Sequence, residues 1–448
     1  MNDFRNPRVS LTRATLLTIA ILMMMAGGRG SAIGQNEDPA IEAELARIAQ
    51  ETAVLRELPP LSQIDDVLLS RAELQAMMPQ LIAQEIDLAE VAADARSLAA
   101  LGLIPAGLDL VDLSVRLMGE QAAGFYDPIT DEMLVVSDGE GDLGIEQYFY
   151  AHEIVHALQD AHLDPDDLME ETSNPNSDSA LARLALYEGD AVAASNDYLA
   201  QHPELVMAIL REVGADFPEL DQAPPIVGIT LIFPYASGFT FVDRLRAEGG
   251  WDAVDAAYAD MPLSTEQILH PLKYLERDSP SVVPLPDPAV ILGEGWRTVD
   301  DDTLGELQIA ILLAKLAPGA GINALTAEID LPEAARNAAA GWDGDRFALW
   351  EDADGGRETL LWRSVWDTPQ DARAFSRALA QAGNARWGSV FNGESPDDVA
   401  LVTPDIAARI VLAGQEVLYV QAPELPLADT AMAALRNAPK PDPAPGPD

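Results

Sequence analysis

In the segment His152-Glu153-Ile154-Val155-His156, two of the five histidines of the chain stand four residues apart, with a glutamate directly after the first. On an α-helix, positions four apart lie one turn, roughly 6 Å, from each other on one face, so both imidazoles can converge on one cation. Glu153 then reaches a water on that cation without being a ligand itself, which is the arrangement a metal hydrolase requires. Zinc lowers the pKa of its bound water to about 7 in such sites and polarises the substrate carbonyl, while the glutamate accepts the water proton and passes it to the leaving amine. The alternative, ordinary polar residues on an exposed helix face, requires a coincidence on the order of one in a few hundred from residue frequencies.

Catalytic zinc takes three protein ligands and keeps one position open, so a third ligand must come from elsewhere. Two residues compete. His162 follows His156 by six residues, the metzincin spacing, but that pattern has a glycine three residues after the second histidine, where this chain has Gln159. If the helix continues, His162 points about 240° away from His156, and only a bend near Asp160 would bring it back. Glu188, in Leu186-Tyr187-Glu188-Gly189-Asp190-Ala191, lies on the next expected helix, after a loop long enough to set the two helices side by side. It is the preferred third ligand, because Gly189 lets the helices approach closely. Asp190 is a candidate to orient a ligand imidazole, as such histidines generally require, against the plain reading of a solvated helix acid. His270, Tyr235 and Tyr274 are candidate donors to the oxyanion of a tetrahedral intermediate, set against ordinary buried roles. Asp164, Asp166, Asp167, Glu170 and Glu171 lack the spacing of an EF-hand calcium loop and read as solvated.

These residues need elements to hold them. Apolar periodicity predicts a helix over 41–58, and Ser70-Arg71-Ala72-Glu73 has capping-box form, opening a helical pattern that continues with breaks to about 101. Residues 122–126 and 133–137 read as a hairpin, and helices follow at 146–161, which carries the motif with Phe149 and Tyr150 as packing residues, and at 180–200. Further helices are expected at 235–248, 251–259 and 265–269. Prolines crowd residues 272–295, read as a linker. Beyond it, a helix at 304–316, strands at 346–351 and 359–366, a helix at 371–382 and strands at 409–413 and 416–421 suggest a smaller α+β domain over 296–436. The Pro-rich tail, 437–448, is expected to be disordered. There is no internal repeat. The fold class expected is therefore α+β, a mainly helical region with a small sheet at 35–271 followed by the α+β domain.

Arg5, Arg8 and Arg13, an apolar stretch at 16–26, and the small residues of Ala32-Ile33-Gly34 give residues 1–34 the form of a signal peptide and imply export to the periplasm or beyond. An uncleaved amino-terminal anchor is the alternative, and otherwise no membrane association is expected. The chain has no cysteine, which removes disulfides, thiol catalysis and thiolate metal sites, so a metal must use His, Asp or Glu. Its 448 residues carry a formal charge of −47 with only Lys273, Lys315 and Lys440 as lysines. Such a surface repels nucleic acid and anionic lipid. It fits a saline habitat, where repulsion is screened, or a genome biased toward Ala, Arg, Asp and Glu codons.

His152 to His156 together with Glu188-Gly189-Asp190 resembles the gluzincin class of zinc peptidases, and more closely a group of bacterial secreted metallopeptidases. The pattern includes Gly124-Phe125-Tyr126-Asp127-Pro128, His156-Ala157-Leu158-Gln159-Asp160 and Ser264-Thr265-Glu266-Gln267-Ile268-Leu269-His270-Pro271. The likeness spans about 119–274, extending loosely to Ala340-Gly341-Trp342 and 362–367. It implies a zincin-like fold, one Zn²⁺ held by His152, His156 and Glu188, Glu153 as general base, and a peptide or protein substrate paired to the hairpin strand before the motif helix. Two other readings remain at this point: a non-catalytic cell-envelope module that binds metal for stability, and a zinc hydrolase of small or cell-wall amides. Glu153 weighs against the first, since structural zinc needs no base.

Overall fold

The computed structural model describes residues 39–442 apart from 71, 74–75, 78–86, 122–123, 128–131, 137–142, 164–175, 208–217, 315–320 and 324–327. The expected signal peptide, the acidic loop with Asp164, Asp166, Asp167, Glu170 and Glu171, and the tail beyond 442 lie outside the described residues.

The first half is mainly helical. Helix α1 (Pro39–Arg56) leads to strand β1 (Asp65–Leu69), then α2 (Leu88–Leu101) and α3 (Leu110–Gln121). Strands β2 (Gly124–Asp127) and β3 (Glu132–Val136) follow, and then α4 (Glu146–Leu163), which carries the motif, and α5 (Ser177–Gln201). Helices α6 (Pro225–Gly249), α7 (Trp251–Ala259) and α8 (Thr265–Leu269) complete this half. The small sheet has the order β1-β3-β2, with β2 antiparallel and β1 parallel to β3, so β2 is an edge.

Ser70 and Glu73 form the expected capping box: Ser70 N donates to Glu73 Oε2 at 2.8 Å, and Glu73 N donates to Ser70 Oγ at 3.2 Å. The helical pattern up to residue 101 is nevertheless interrupted, because α2 has its own cap, Asp87 accepting from Ala89 N. Helix α6 begins ten residues before the expected start. Pro225 occupies its first turn, where a missing N–H costs nothing, and Pro234 is carried inside it. By length and composition α6 is apolar enough to cross a membrane, but here it packs along α5 with Ile226, Ile229, Phe233, Phe241 and Val242 fully buried.

The second half is built on one antiparallel sheet, as the expected α+β class requires. Its strands are β4 (Trp296–Asp302), β7 (Trp342–Asp352), β8 (Glu358–Trp366), β9 (Asn392–Ser395), β10 (Asp398–Val402), β11 (Ala407–Ala413) and β12 (Glu416–Ala422). They run in the order β4-β7-β8-β12-β11-β10-β9, while β5 (Gly321–Asn323) and β6 (Glu328–Asp330) pair separately. Helices α9 (Gly305–Ala314) and α10 (Pro369–Trp387) cover one face and α11 (Leu425–Asn437) the other. Alternate residues of β8 serve the two cores: Leu360 and Trp362 belong to the larger one, Trp362 edge-on to Phe375 of α10, and Leu361 to the one under α11. With both faces covered, every residue of β8 after Glu358 is buried, the polar Thr359, Arg363 and Ser364 included.

The expected linker at 272–295 is corrected. It holds short helices at Pro271–Leu275 and Pro288–Leu292, and Val282 exchanges backbone hydrogen bonds with Asp442 at 2.9 and 3.2 Å. The tail is corrected too over its described part: Arg363 Nη1 donates to Pro439 O at 2.6 Å, so residues 438–442 are strapped to the sheet domain. A proline-rich segment lacks periodicity, but it still folds when partners from distant chain satisfy its carbonyls.

Nor are the two halves independent. One hydrophobic core runs from Leu69 and Val155 through α5 and α6 to Trp362 and Tyr419. Its polar seam is rich in buried acids. Ser177, at the start of α5, donates its N–H to Asp302 Oδ1 at 2.9 Å. Asp178 accepts from Thr265 N, and Asp345 accepts from Leu304 N, Gly305 N and the indoles of Trp342 and Trp362. Gly305, at φ +69°, is obligatory: a Cβ there would lie 1.7 Å from Asp178 Oδ1.

The closest helix contact is the crossing of α5 and α6. A Cβ on Gly189 would stand 2.2 Å from the Gly238 carbonyl carbon, and one on Gly238 would stand 2.0 Å from Ala185 O. Gly189→Ala therefore forces backbone apart. It is expected to cost at least about 3 kcal/mol in denaturant unfolding, and unfolding within experimental error of the parent would refute the close contact.

Burial pushes the Asp302 carboxyl up to about 7 despite its hydrogen bonds from Ser177 and Thr303. The folded chain thus holds a proton on Asp302 that the unfolded chain, near the ordinary value of about 3.9, has released. Stability from this group is full below pH 4 and is lost as pH rises toward 7, by a few kcal/mol at most. Thermal melts should show Asp302→Asn losing less stability than the parent between pH 4 and 7. Parallel curves would contradict the assignment.

Candidate metal centre

Helix α4 presents His152 and His156 on one face, as their spacing requires, with rings 4.8 Å apart and almost perpendicular. Glu188 reaches them from α5. His152 Nε2 and Glu188 Oε2 are 3.1 Å apart, His156 Nε2 and His152 Nε2 3.1 Å, and His156 Nε2 and Glu188 Oε2 3.5 Å. A tetrahedral ion with ligand bonds of 2.0–2.1 Å sets its ligand atoms about 3.3 Å from one another, so this triangle has the size zinc requires. Among the described residues, these three form the group of His, Asp and Glu able to hold a metal ion. The donor set, two nitrogens and one carboxylate oxygen, also suits zinc. Their side chains are 12%, 4% and 2% exposed in the order His152, His156, Glu188, so access is from the His152 side.

His156 is locked in one tautomer. Its Nδ1 lies 2.8 Å from Gln159 Oε1, and an amide oxygen only accepts, so Nδ1 carries a proton and Nε2 is the atom offered to a metal once its own proton is released. The amide itself cannot flip, because Gln159 Nε2 faces Tyr187 O at 3.0 Å and Asp190 Oδ2 at 3.0 Å, both acceptors, and Tyr258 O–H at 2.8 Å. Tyr187 stacks on the His156 ring at 4.4 Å, with planes 4° apart.

The electrostatics are those of acids and imidazoles enclosed together. Burial would raise Glu188, but the adjacent His156 charge and hydrogen bonds from both imidazoles outweigh it and hold the carboxyl below its ordinary value. Burial would lower His156, and Glu188 reverses this, so His156 holds a proton more tightly than usual. A cation binding between them must displace that proton. Glu153 is pushed up by burial. Its Oε2 accepts the backbone N–H of Tyr126 at 3.0 Å, which ties the motif helix to strand β2. Tyr126 O–H donates to Asp160 Oδ2, also at 3.0 Å, two helical turns further along α4.

Of the other sequence candidates, Tyr235 is at the centre: its O–H donates to Glu188 Oε1 at 3.2 Å, and its ring lies 6.1 Å from that of His152. His162 is not. Helix α4 continues through it without a bend, and its Nε2 donates to Pro59 O at 2.8 Å. His270 pairs instead with Glu306 Oε1 at 2.9 Å, on a segment that joins the halves, and Tyr274 donates to Asp260 O. Asp190 touches neither ligand imidazole; it accepts from Gln159 Nε2, whose amide oxygen lies 2.8 Å from His156 Nδ1. Sequence reasoning missed Gln159, although its place three residues after His156 puts it on the same helix face. It also missed Arg56 and Tyr258, which meet Asp190 from α1 and α7 and leave no local signal.

Comparison with known proteins bears on the second half alone. Residues 294–432 match a family described as a domain of unknown function (DUF8575). No curated protein and no solved structure matches the chain.

The geometry separates the two candidates for third ligand. Glu188→Ala should purify with well under one zinc per chain and His162→Ala with the parent's content, by elemental analysis without chelator. The reverse result would return the role to His162.

Proposed function

We propose that this protein is an exported zinc metallopeptidase that hydrolyses internal peptide bonds, with His152, His156 and Glu188 as ligands and Glu153 as general base. The observation that carries the reading is the tetrahedrally sized triangle of buried ligand atoms beside a glutamate that is not part of it. A structural site has no use for that glutamate. The signal-like residues 1–34 support export.

Zinc held there supplies Lewis acidity and a water acidified to about pKa 7. Glu153 accepts the proton of the attacking water and delivers it to the departing amine. Its Tyr126 N–H partner keeps the carboxylate aimed along the mouth of the site. The phenol of Tyr235, on Glu188 Oε1 in the substrate-free protein, is the donor placed to serve the oxyanion. Because Tyr126 N–H turns to Glu153, the backbone groups of Gly124 and Tyr126 face away from β3 along the outer edge of β2. An extended peptide added to that edge passes Glu153, which favours a polypeptide substrate over a small amide.

The full chain and Glu153→Ala, assayed side by side for zinc and for cleavage of casein and peptide libraries in low and high salt, test this reading. Both should hold about one zinc, with cleavage reduced on the order of a thousandfold or more in the variant. Zinc in both without cleavage by the parent would make the site structural or its substrate a narrow one, and no zinc in either would sink the reading.

A further inference from the structure

Arg56 ends α1, almost a hundred residues before the motif, yet it is fully buried against the far side of the metal centre. Its Nε donates to Asp190 Oδ1 at 2.6 Å and its Nη2 to Asp190 Oδ2 at 3.1 Å, a two-pronged grip, and Nη2 also reaches Asp255 Oδ1 at 2.6 Å. The guanidinium lies 4.3 Å from the Trp251 ring centroid. From α7, Tyr258 O–H donates to the same Asp190 Oδ2 at 2.8 Å. Asp190 in turn receives Gln159 Nε2, and Gln159 Oε1 receives His156 Nδ1–H.

We propose that Arg56 and Tyr258 are positioning residues of the metal centre, acting through Asp190 and Gln159 to fix the plane and tautomer of His156. The inference rests on the metal-binding part of the reading above and not on peptide cleavage. The path has four links: α1 and α7 hold Asp190, Asp190 holds the amide, the amide holds the imidazole, and the imidazole offers Nε2. The first three links are donors meeting obligate acceptors, and a rotation of Asp190 takes away one of the two obligate acceptors of Gln159 Nε2, leaving Tyr187 O to hold the amide against a flip that would present N–H to a ring N–H. Stability alone does not account for the arrangement. Enclosing a guanidinium gains little over apolar packing of equal volume, and here Nη1 is enclosed with no hydrogen-bond partner among the described residues. What apolar packing cannot supply is a fixed orientation for Asp190.

A merely structural Arg56 would act by holding α1 in place, a task Arg47 shares: it bonds Glu44 and Glu51 on α1, Gln147 on α4 and Tyr198 on α5. The full chain and its Arg56→Gln, Arg56→Lys, Tyr258→Phe and Arg47→Gln variants are therefore titrated with Zn²⁺ against a chromophoric chelator. Their visible spectra are recorded with Co²⁺ in place of zinc. Arg56→Gln should weaken zinc about 10–100-fold and shift the Co²⁺ bands, Arg56→Lys should recover part of the loss, and Arg47→Gln should stay within about twofold of the parent. Tyr258→Phe, which removes one hydroxyl and decides the matter if Arg56→Gln does not fold, should weaken zinc about fivefold with a smaller band shift. Equal losses in the Arg56 and Arg47 variants, or parent-like affinity and spectrum in Tyr258→Phe, would overturn the proposal while leaving the peptidase reading intact. Zinc binding with these effects but no peptide cleavage would uphold it and overturn only that reading; a parent that binds no zinc removes both.

Discussion

The backbone contact between α5 and α6 at Gly189 and Gly238 sets the distances on which the centre depends. Neither helix tolerates a Cβ at the crossing, so their axes come closer than side-chain packing would allow. Glu188 stands one residue before the crossing on α5, and Tyr235 three residues before it on α6. The same contact therefore brings a carboxylate under the two imidazoles of α4 and a phenol onto that carboxylate. Moving α6 outward by the width of one methyl group would separate the phenol from Glu188 by more than a hydrogen bond can span.

That crossing needs α5 fixed along its axis as well, and the sheet half of the chain does this. Asp302 of β4 takes the N–H of Ser177 at the first turn of α5, and Gly305 backs Asp178, which Thr265 of the first half also grips. Glu188 lies ten residues on, roughly 15 Å along the same rigid helix. A shift at the seam is thus transmitted to the ligand without bending the helix. The second half is in this sense part of the site's framework, which explains why the proline-rich stretch between the halves is strapped by Val282 and Asp442 rather than left loose.

How much of this was legible in the sequence follows from how local each cause is. The motif was legible because a helix converts spacing directly into geometry, and His162 was rightly doubted because the same rule turns it away when α4 does not bend. Glu188 needed one step more, the inference that Gly189 permits close approach, and the crossing supplies it. Strand β1 has no such signal: its parallel partner lies 67 positions later, and Asp-Asp-Val-Leu-Leu carries no alternation to read. Gln159 was read only as the absence of a glycine. Arg56 and Tyr258 were out of reach, since nothing near them in sequence marks a contact with Asp190. For His270 the sequence leaves a catalytic and a structural role side by side, because a histidine in a conspicuous segment is as useful to a joint, here with Glu306, as to a reaction.

Charge ties the centre to the rest of this acidic chain. Glu153 and Glu188 are enclosed together, whereas Asp190, just beneath, is already balanced by Arg56. The upper pair has only the imidazoles to oppose it, and a proton on His156 answers one carboxylate, not two. A dication answers both, and does so while leaving the histidines neutral, the form in which they bind metal. On the proposed function, the bound ion would thus also compensate the burial of the two acids. A surface at −47 works in the same direction, because its field concentrates divalent cations around the molecule and disfavours strongly acidic polypeptides at the mouth of the site. On the proposed function, local and global electrostatics thus favour the same occupant, and they would bias a peptide at the edge of β2 toward neutral or basic sequence.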